Sequence, residues 1–281
     1  MAPENSYEFR LTISTDSTND FTFDEVYVTS KENLNTVYAA SAEKGLKDEF
    51  ADYFRVGNIL NGSTVANSAI TANILKDYNS IECENEMKPD ATLVQSQCNG
   101  TNVGVSLNNA AAIIDFCVNN NIAMRGHAFV WHSQTPSWFF KENYNANGAW
   151  VSSSVMDQRL ESYIKNMFNA IETQYPSLNL YAYDVVNEAV SDDSNRTANY
   201  GGAREAGDNN VTSGTSAWVS VYGDNSFVEK AFTYARKYAP EGCDLYYNDY
   251  NEYWDHKRDC IYNMCKDLYE KGLLDLSLIH I

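Results

Sequence analysis

Asn187 and Glu188 close the apolar run Tyr183-Asp184-Val185-Val186 with an amide and a carboxylate, and Ala189 follows. Val185 and Val186 favour a buried strand, so the pair falls where that strand leaves its sheet. A carboxyl group placed there among apolar and aromatic residues has reason to keep a proton and pass it to a leaving group. The same pair also reads as a helix cap or a solvated loop edge. Neighbouring residues on a regular strand face opposite sides. Asn187 and Glu188 therefore reach one site only if the strand ends irregularly there.

Three further strand ends carry polar clusters. One segment runs into Glu84-Asn85-Glu86-Met87-Lys88, a second holds His127 and Trp131, and a third ends Asn248-Asp249-Tyr250-Asn251-Glu252. By strand parity His127 and Trp131 share a face, whereas His127 and His132 do not. With no other His or Cys partners in rhythm, a zinc site is not expected. Carboxylates, amides, one Lys, one His and several indole or phenol faces instead suit a neutral polyol. Polar groups bind sugar hydroxyls, and aromatic rings stack on the C–H faces. The plain structural alternatives are a Glu84–Lys88 ion pair opening a helix, Trp131 as core, and Asn248-Asp249 as a turn.

The elements that must position these residues alternate. Glu8–Ile13 and Phe21–Val28 read as an antiparallel hairpin within residues 1–33, which either packs on the main domain or is the tail of an upstream β-sandwich. From residue 34 to 275 a strand–helix rhythm takes over: helix Leu34–Tyr53, strand Phe54–Leu60, helix Ser63–Asp77 and strand Ser80–Glu84. A helix around Leu107–Val118 stops at Asn119-Asn120-Asn121 and leads to strand Ile122–Trp131. A helix around Leu160–Ile171, ended before Pro176, precedes strand Leu178–Val186. Helix Phe227–Tyr238, strand Cys243–Tyr250 and a helix from His256 to Leu273 complete the series. Five such units predict a parallel sheet with helical crossovers. No Gly-x-Gly-x-x-Gly follows a strand, so a (β/α)8 TIM barrel fits better than a dinucleotide fold. That barrel needs eight strands, and five with the beginning of a sixth are found, so it is expected to be incomplete at the C-terminus.

Bulk properties exclude other classes. Lys and Arg total 20 against 38 Asp and Glu, a net charge of −18. That field repels phosphate backbones and anionic membranes, so no nucleic-acid partner is expected. No run of about 18 apolar residues occurs, and no membrane span is expected. The six cysteines have no paired or zinc-like spacing and leave the redox compartment open. Met1-Ala2-Pro3-Glu4-Asn5 lacks the basic and apolar regions of a signal peptide.

Taken together, Ser80–Lys88, Arg125–Gln134, Asp184–Ala189 and Leu245–Asn251 resemble four consecutive signatures of glycoside hydrolase family 10, endo-β-1,4-xylanases on a (β/α)8 barrel. They occur in the family's order and cover roughly residues 35 to 275. The resemblance implies that Glu188 is the acid/base and that Asn187 binds the 2-hydroxyl at the cleavage point. It implies that Glu84, Asn85 and Lys88 hold sugars on the non-reducing side, and that His127 and Trp131 form the floor and wall of the cleavage subsite. Gln134, Asn248 and Tyr250 are further candidates for lining the cleft. Xylan or xylo-oligosaccharide is the implied partner of a secreted, monomeric enzyme with no metal or organic cofactor.

Two departures matter. Cys83 stands where many members have proline and threatens no chemistry. A retaining glycosidase, however, needs two carboxyl groups about 5–5.5 Å apart, and the family's nucleophile is a Glu closing a seventh strand. Lys271–Asp275 resembles the run into the sixth strand, but Leu276–Ile281 does not continue it well and reads as a non-native tail. The nucleophile is therefore expected to be missing, and the 281-residue chain to be inactive or nearly so. A barrel that only binds carbohydrate is the alternative reading.

Overall fold

In the computed structural model, which describes residues 44–278 (the last three by backbone alone), six strands lie side by side in sequence order, all parallel. They are β1 (Gly57–Leu60), β2 (Ser80–Cys83), β3 (Ala123–Trp131), β4 (Leu180–Asn187), β5 (Asp244–Asn248) and β6 (Leu276–Leu278). The crossovers carry α1 (Ser68–Asp77), α2 (Ala111–Asn120), α3 (Ser153–Gln174), α4 (Ser226–Tyr238) and α5 (Asp255–Glu270). Parallel neighbours joined through helices give the expected α/β architecture. The hairpin at residues 1–33 lies outside the described residues. The backbone of Leu276–Leu278, in the segment expected to be a non-native tail, pairs in parallel with Tyr246–Asn248.

Helix boundaries follow local chemistry. Where a helix was expected from Ser63, the Asn61 side chain accepts from the Ser63 and Thr64 amides and holds a turn instead. The helix begins only after Asn67, whose side chain caps the Ala69 and Ile70 amides. The helix expected over Leu34–Tyr53 is described only from residue 44, where one turn, Leu46–Glu49, is present. That turn buries no side chain and is tied to α1 through the Leu46 amide, which donates to Asp77 Oδ1 at 3.2 Å. Asn121 adopts a left-handed conformation (φ 53°) and stops α2, as the Asn run predicts. The long α3 begins at the Ser152 cap and buries nine residues, among them Leu160, Tyr163, Ile164, Met167 and Phe168.

The core lies between the sheet and these helices. Phe129 of β3 stacks on Tyr183 of β4 with centroids 3.8 Å apart, and both rings meet Phe168 of α3 edge-on. Gly126 makes this possible, because a Cβ there would lie 2.3 Å from the Tyr183 ring. The outward position of Phe129 corrects the parity argument. His127 and Trp131 do share a site, yet Phe129 between them does not join it. The β3–β4 register shifts between His127 and Val130, so regular alternation fails there.

Candidate active site

Glu188 follows the last residue of β4 with φ 54°, the left-handed region that an L side chain enters only at a cost. This is the irregular end that the Asn187–Glu188 pair requires. Two backbone contacts hold it: the Glu188 amide donates to the Asn248 carbonyl at 2.7 Å, and Arg204 Nε donates to the Glu188 carbonyl at 2.7 Å. Trp131 Nε1 donates to Glu188 Oε2 at 2.8 Å. Burial raises the Glu188 carboxyl above its ordinary value. The Trp131 bond opposes that shift, Asp249 adds to it, and Arg204 and Lys257 oppose it. Net, the group is biased toward keeping a proton at a strand end.

His132 lies behind this carboxyl, its Nδ1 4.0 Å from Glu188 Oε2. Burial, assisted by Arg204, pushes His132 down to about 3, so the ring stays neutral beside the carboxyl. Asn187 is buried at the end of β4, in register with Trp131 on one side and Asn248 on the other.

Beyond Trp131 lies a second polar group. Lys88 Nζ sits 5.0 Å from the Trp131 ring centroid and donates to Asn85 Oδ1 (3.1 Å) and Gln134 Oε1 (3.0 Å). Gln134 Nε2 closes the triangle on Asn85 Oδ1 at 3.1 Å, from a backbone with φ 41°. Burial lowers the Lys88 ammonium from its usual value. Glu84 accepts from Asn61 Nδ2 at 2.6 Å, and Lys88 bonds to the two amides rather than pairing with Glu84. The helix-opening ion pair is thus not formed.

Below Trp131, His127 Nδ1 lies 2.8 Å from Asp184 Oδ2, with the two residues in register across β3 and β4. Arg125 donates through Nε (2.8 Å) and Nη2 (2.7 Å) to Asp184 Oδ1, and through Nη2 to Asn248 Oδ1 at 2.9 Å. Asn248 Nδ2 donates to Asp184 Oδ2 at 2.6 Å. The Asn248 amide is therefore committed within the sheet, at the end of β5 rather than in a turn. Glu82, His127 and Asp184 could converge on a cation. Arg125 already supplies positive charge there, since it also lies 3.5 Å from Glu82. Burial, then Asp184, raises the Glu82 carboxyl.

On the far side of Glu188, Tyr250 stands half-exposed with Lys257 Nζ 3.9 Å from its ring centroid. Lys257 is fully buried and bridges Asp192 (2.6 Å) and Asp249 (2.9 Å), tying the loop after β4 to the end of β5. Asp249 also accepts from the Val190 amide and the Tyr247 hydroxyl.

Nine of the ten residues singled out from the sequence lie within this chain of contacts or beside it in register; Glu84 bonds to Asn61 instead. Five others, Arg125, Asp184, Arg204, Asp249 and Lys257, were given no role there. A charged Asp184 inside an apolar run is a signal that could have been read, because a buried charge demands partners. Arg204 and Lys257 carry no such signal, since their partners are distant in sequence.

The model of the family described as glycosyl hydrolase family 10 matches residues 45–276. Endo-1,4-beta-xylanase Y of Acetivibrio thermocellus is 68% identical over 276 residues, 98% of this chain and 25% of that protein. Bifunctional endo-1,4-beta-xylanase XylA of Ruminococcus flavefaciens is 47% identical over 241 residues, 84% of this chain and 24% of that protein. The chain thus spans about a quarter of the length of these relatives. Among solved structures, the Clostridium thermocellum endo-1,4-beta-D-xylanase 10B modules complexed with xylohexaose superpose with a TM-score of 0.81 at 70% identity. That match covers 83% of this chain and 45% of the other. A psychrophilic family 10 endo-beta-1,4-xylanase gives 0.66 at 33% identity, covering 83% and 64%. The chain belongs to glycosyl hydrolase family 10, whose members share the (β/α)8 barrel.

Proposed function

We propose that this chain carries the acid/base half of a retaining endo-1,4-β-xylanase, with Glu188 protonating the departing glycosidic oxygen and later activating water. The observation that carries this reading is the placement of Glu188. It ends β4 in a left-handed turn, buried enough to favour its protonated form, with Trp131 fixing one carboxylate oxygen. Asn187 beside it would take the 2-hydroxyl, and His127 and Trp131 would face the sugar being cleaved. Glu84, Asn85, Lys88 and Gln134 would hold sugars on the non-reducing side, and Tyr250 the leaving side. Xylohexaose bound to the structural relative supports a xylan-type substrate.

The second carboxylate is the open part of the machine. Among the described residues near Glu188, Asp249 is bound by Lys257, Tyr247 and Val190, and Asp192 by Lys257. Neither is free to attack a sugar. We infer that the nucleophile comes from outside the 281 residues and that the chain alone turns over xylan weakly or not at all. A reducing-sugar assay on the purified chain tests this, and hydrolysis at the rate of a complete family member overturns it. Replacing Glu188 by Gln in a version extended through the remaining barrel tests the acid/base role. Loss of xylan turnover with retained cleavage of aryl glycosides bearing good leaving groups is expected. Unchanged xylan hydrolysis would remove Glu188 from the mechanism. Because polymeric xylan does not cross a membrane, the enzyme is proposed to act outside the cell. Activity confined to the lysate of the source cells would contradict that.

A further inference from the structure

We propose that Asp184 is a positioning residue that holds the ring proton of His127 on Nδ1, leaving Nε2 as a hydrogen-bond acceptor turned toward the cleft. Both Arg125 and Asn248 meet Asp184 as donors. Arg125 contributes two N–H bonds to Oδ1, at 2.8 and 2.7 Å, and a guanidinium has no acceptor. Asn248 presents an amide whose orientation would ordinarily be ambiguous. Here Arg125 Nη2 donates to Asn248 Oδ1 at 2.9 Å, so Nδ2 must be the atom that meets Asp184 Oδ2 at 2.6 Å. Asp184 is thus an acceptor in three of its four side-chain contacts.

The fourth contact is His127 Nδ1, 2.8 Å from Oδ2. An Nε2–H tautomer would set the Nδ1 lone pair against that oxygen at the same distance, which is repulsive. An Nδ1–H tautomer completes a fully satisfied carboxylate. Glu82 does not compete, since its nearest oxygen is 3.9 Å from Nδ1, too far for a hydrogen bond. The two ring nitrogens lie on opposite sides of the imidazole, so anchoring Nδ1 in the sheet turns Nε2 outward. The ring is 12% exposed and stands edge-on to Trp131, with centroids 6.3 Å apart. Trp131 in turn holds Glu188. A group fixed this way accepts a hydrogen bond from a sugar hydroxyl instead of donating one, a reading that rests on the carbohydrate assignment above. A residue that sets a histidine's tautomer acts through the histidine, not on the substrate.

The test is the imidazole nitrogen spectrum of the 15N-labelled 281-residue chain at mildly alkaline pH. His127 is assigned by the signal that disappears in His127→Gln. The expected parent spectrum shows Nδ1 protonated and Nε2 bare. In Asp184→Asn the new amide can donate to Nδ1, so the ratio of Nδ1–H to Nε2–H is expected to fall by at least about tenfold. A parent spectrum with Nε2 protonated, alone or together with Nδ1, overturns the proposal without any variant. An unchanged ratio in folded Asp184→Asn overturns it as well. Xylotriose added to the parent separates the two readings. Movement of the Nε2 resonance supports both. An Nδ1–H tautomer with no response to xylotriose upholds the lock and counts against the carbohydrate assignment alone.

Discussion

Trp131 Nε1 holds Glu188 Oε2 at 2.8 Å, joining the end of β3 to the first residue after β4. The bond has two consequences for the carboxyl proposed to transfer a proton. It fixes which oxygen is free to face a substrate, and it stabilises the charged form against the burial that favours the neutral one.

Removing that donor therefore shifts the balance in a stated direction. In the version extended through the remaining barrel, Trp131→Phe keeps a ring under Lys88 but removes the hydrogen bond that most opposes burial at Glu188. The basic limb of the kcat/KM profile should move to higher pH, with a loss of roughly tenfold or more in rate. A pH–rate series on an unactivated xylo-oligosaccharide measures both, and a basic limb moving to lower pH would contradict the assignment.

Glu188 also leaves a mark on stability. Its folded value is raised, so the stabilising contribution is full below the unfolded value of 4.5 and is lost as pH rises through the folded one. Glu188→Gln mimics the neutral carboxyl at every pH. Its melting temperature, relative to the parent, should rise between about pH 4 and pH 7. A difference that is flat across that range would show that burial does not penalise the carboxylate.

His132 acts with the opposite sign. Its folded value is depressed to about 3 from 6.5, so its contribution is complete above 6.5 and is lost as pH falls toward about 3. Urea unfolding at stepped pH should show the parent weakening through that window and His132→Gln weakening less. Equal slopes for the two proteins would mean that His132 is not the buried neutral group described here.

Lys257 is the cation between two carboxylates, one of them buried. Lys257→Met leaves Asp192 and Asp249 without it and should cost about 3–5 kcal/mol, the range for breaking a buried pair from one side. Denaturant unfolding reads this directly. A loss below about 1 kcal/mol would place the bridge with surface ion pairs, which contribute little.

Gly126 tests the packing beneath the site. A methyl group there meets the Tyr183 ring at 2.3 Å, and that ring is stacked between Phe129 and the helix layer. Gly126→Ala should cost about 1–3 kcal/mol by overpacking. An unchanged urea midpoint would mean that the ring moves aside freely.

The alternation of strands and helices was legible because each segment's apolar period depends on its own residues alone. Asn187–Glu188, His127 and Trp131 were legible for a related reason: polar and aromatic groups at successive strand ends have one shared direction in a parallel sheet. Boundaries were less so. The start of α1 depends on whether Asn61 or Asn67 captures the free amides, a competition that composition does not decide.

By itself the sequence determined the fold class, the order of the strands and the polar clusters at four strand ends. The tertiary structure alone decided how those clusters are tuned. Glu188 is raised by burial, held by Trp131 from β3 and gripped through its backbone by Arg204, sixteen residues further on. His127 is oriented by Asp184, which is in turn fixed by Arg125 and Asn248. The physical reason is range. Periodicity and turn chemistry act over a few residues, whereas desolvation and directional hydrogen bonds depend on atoms that come within about 3 Å only after the strands have paired.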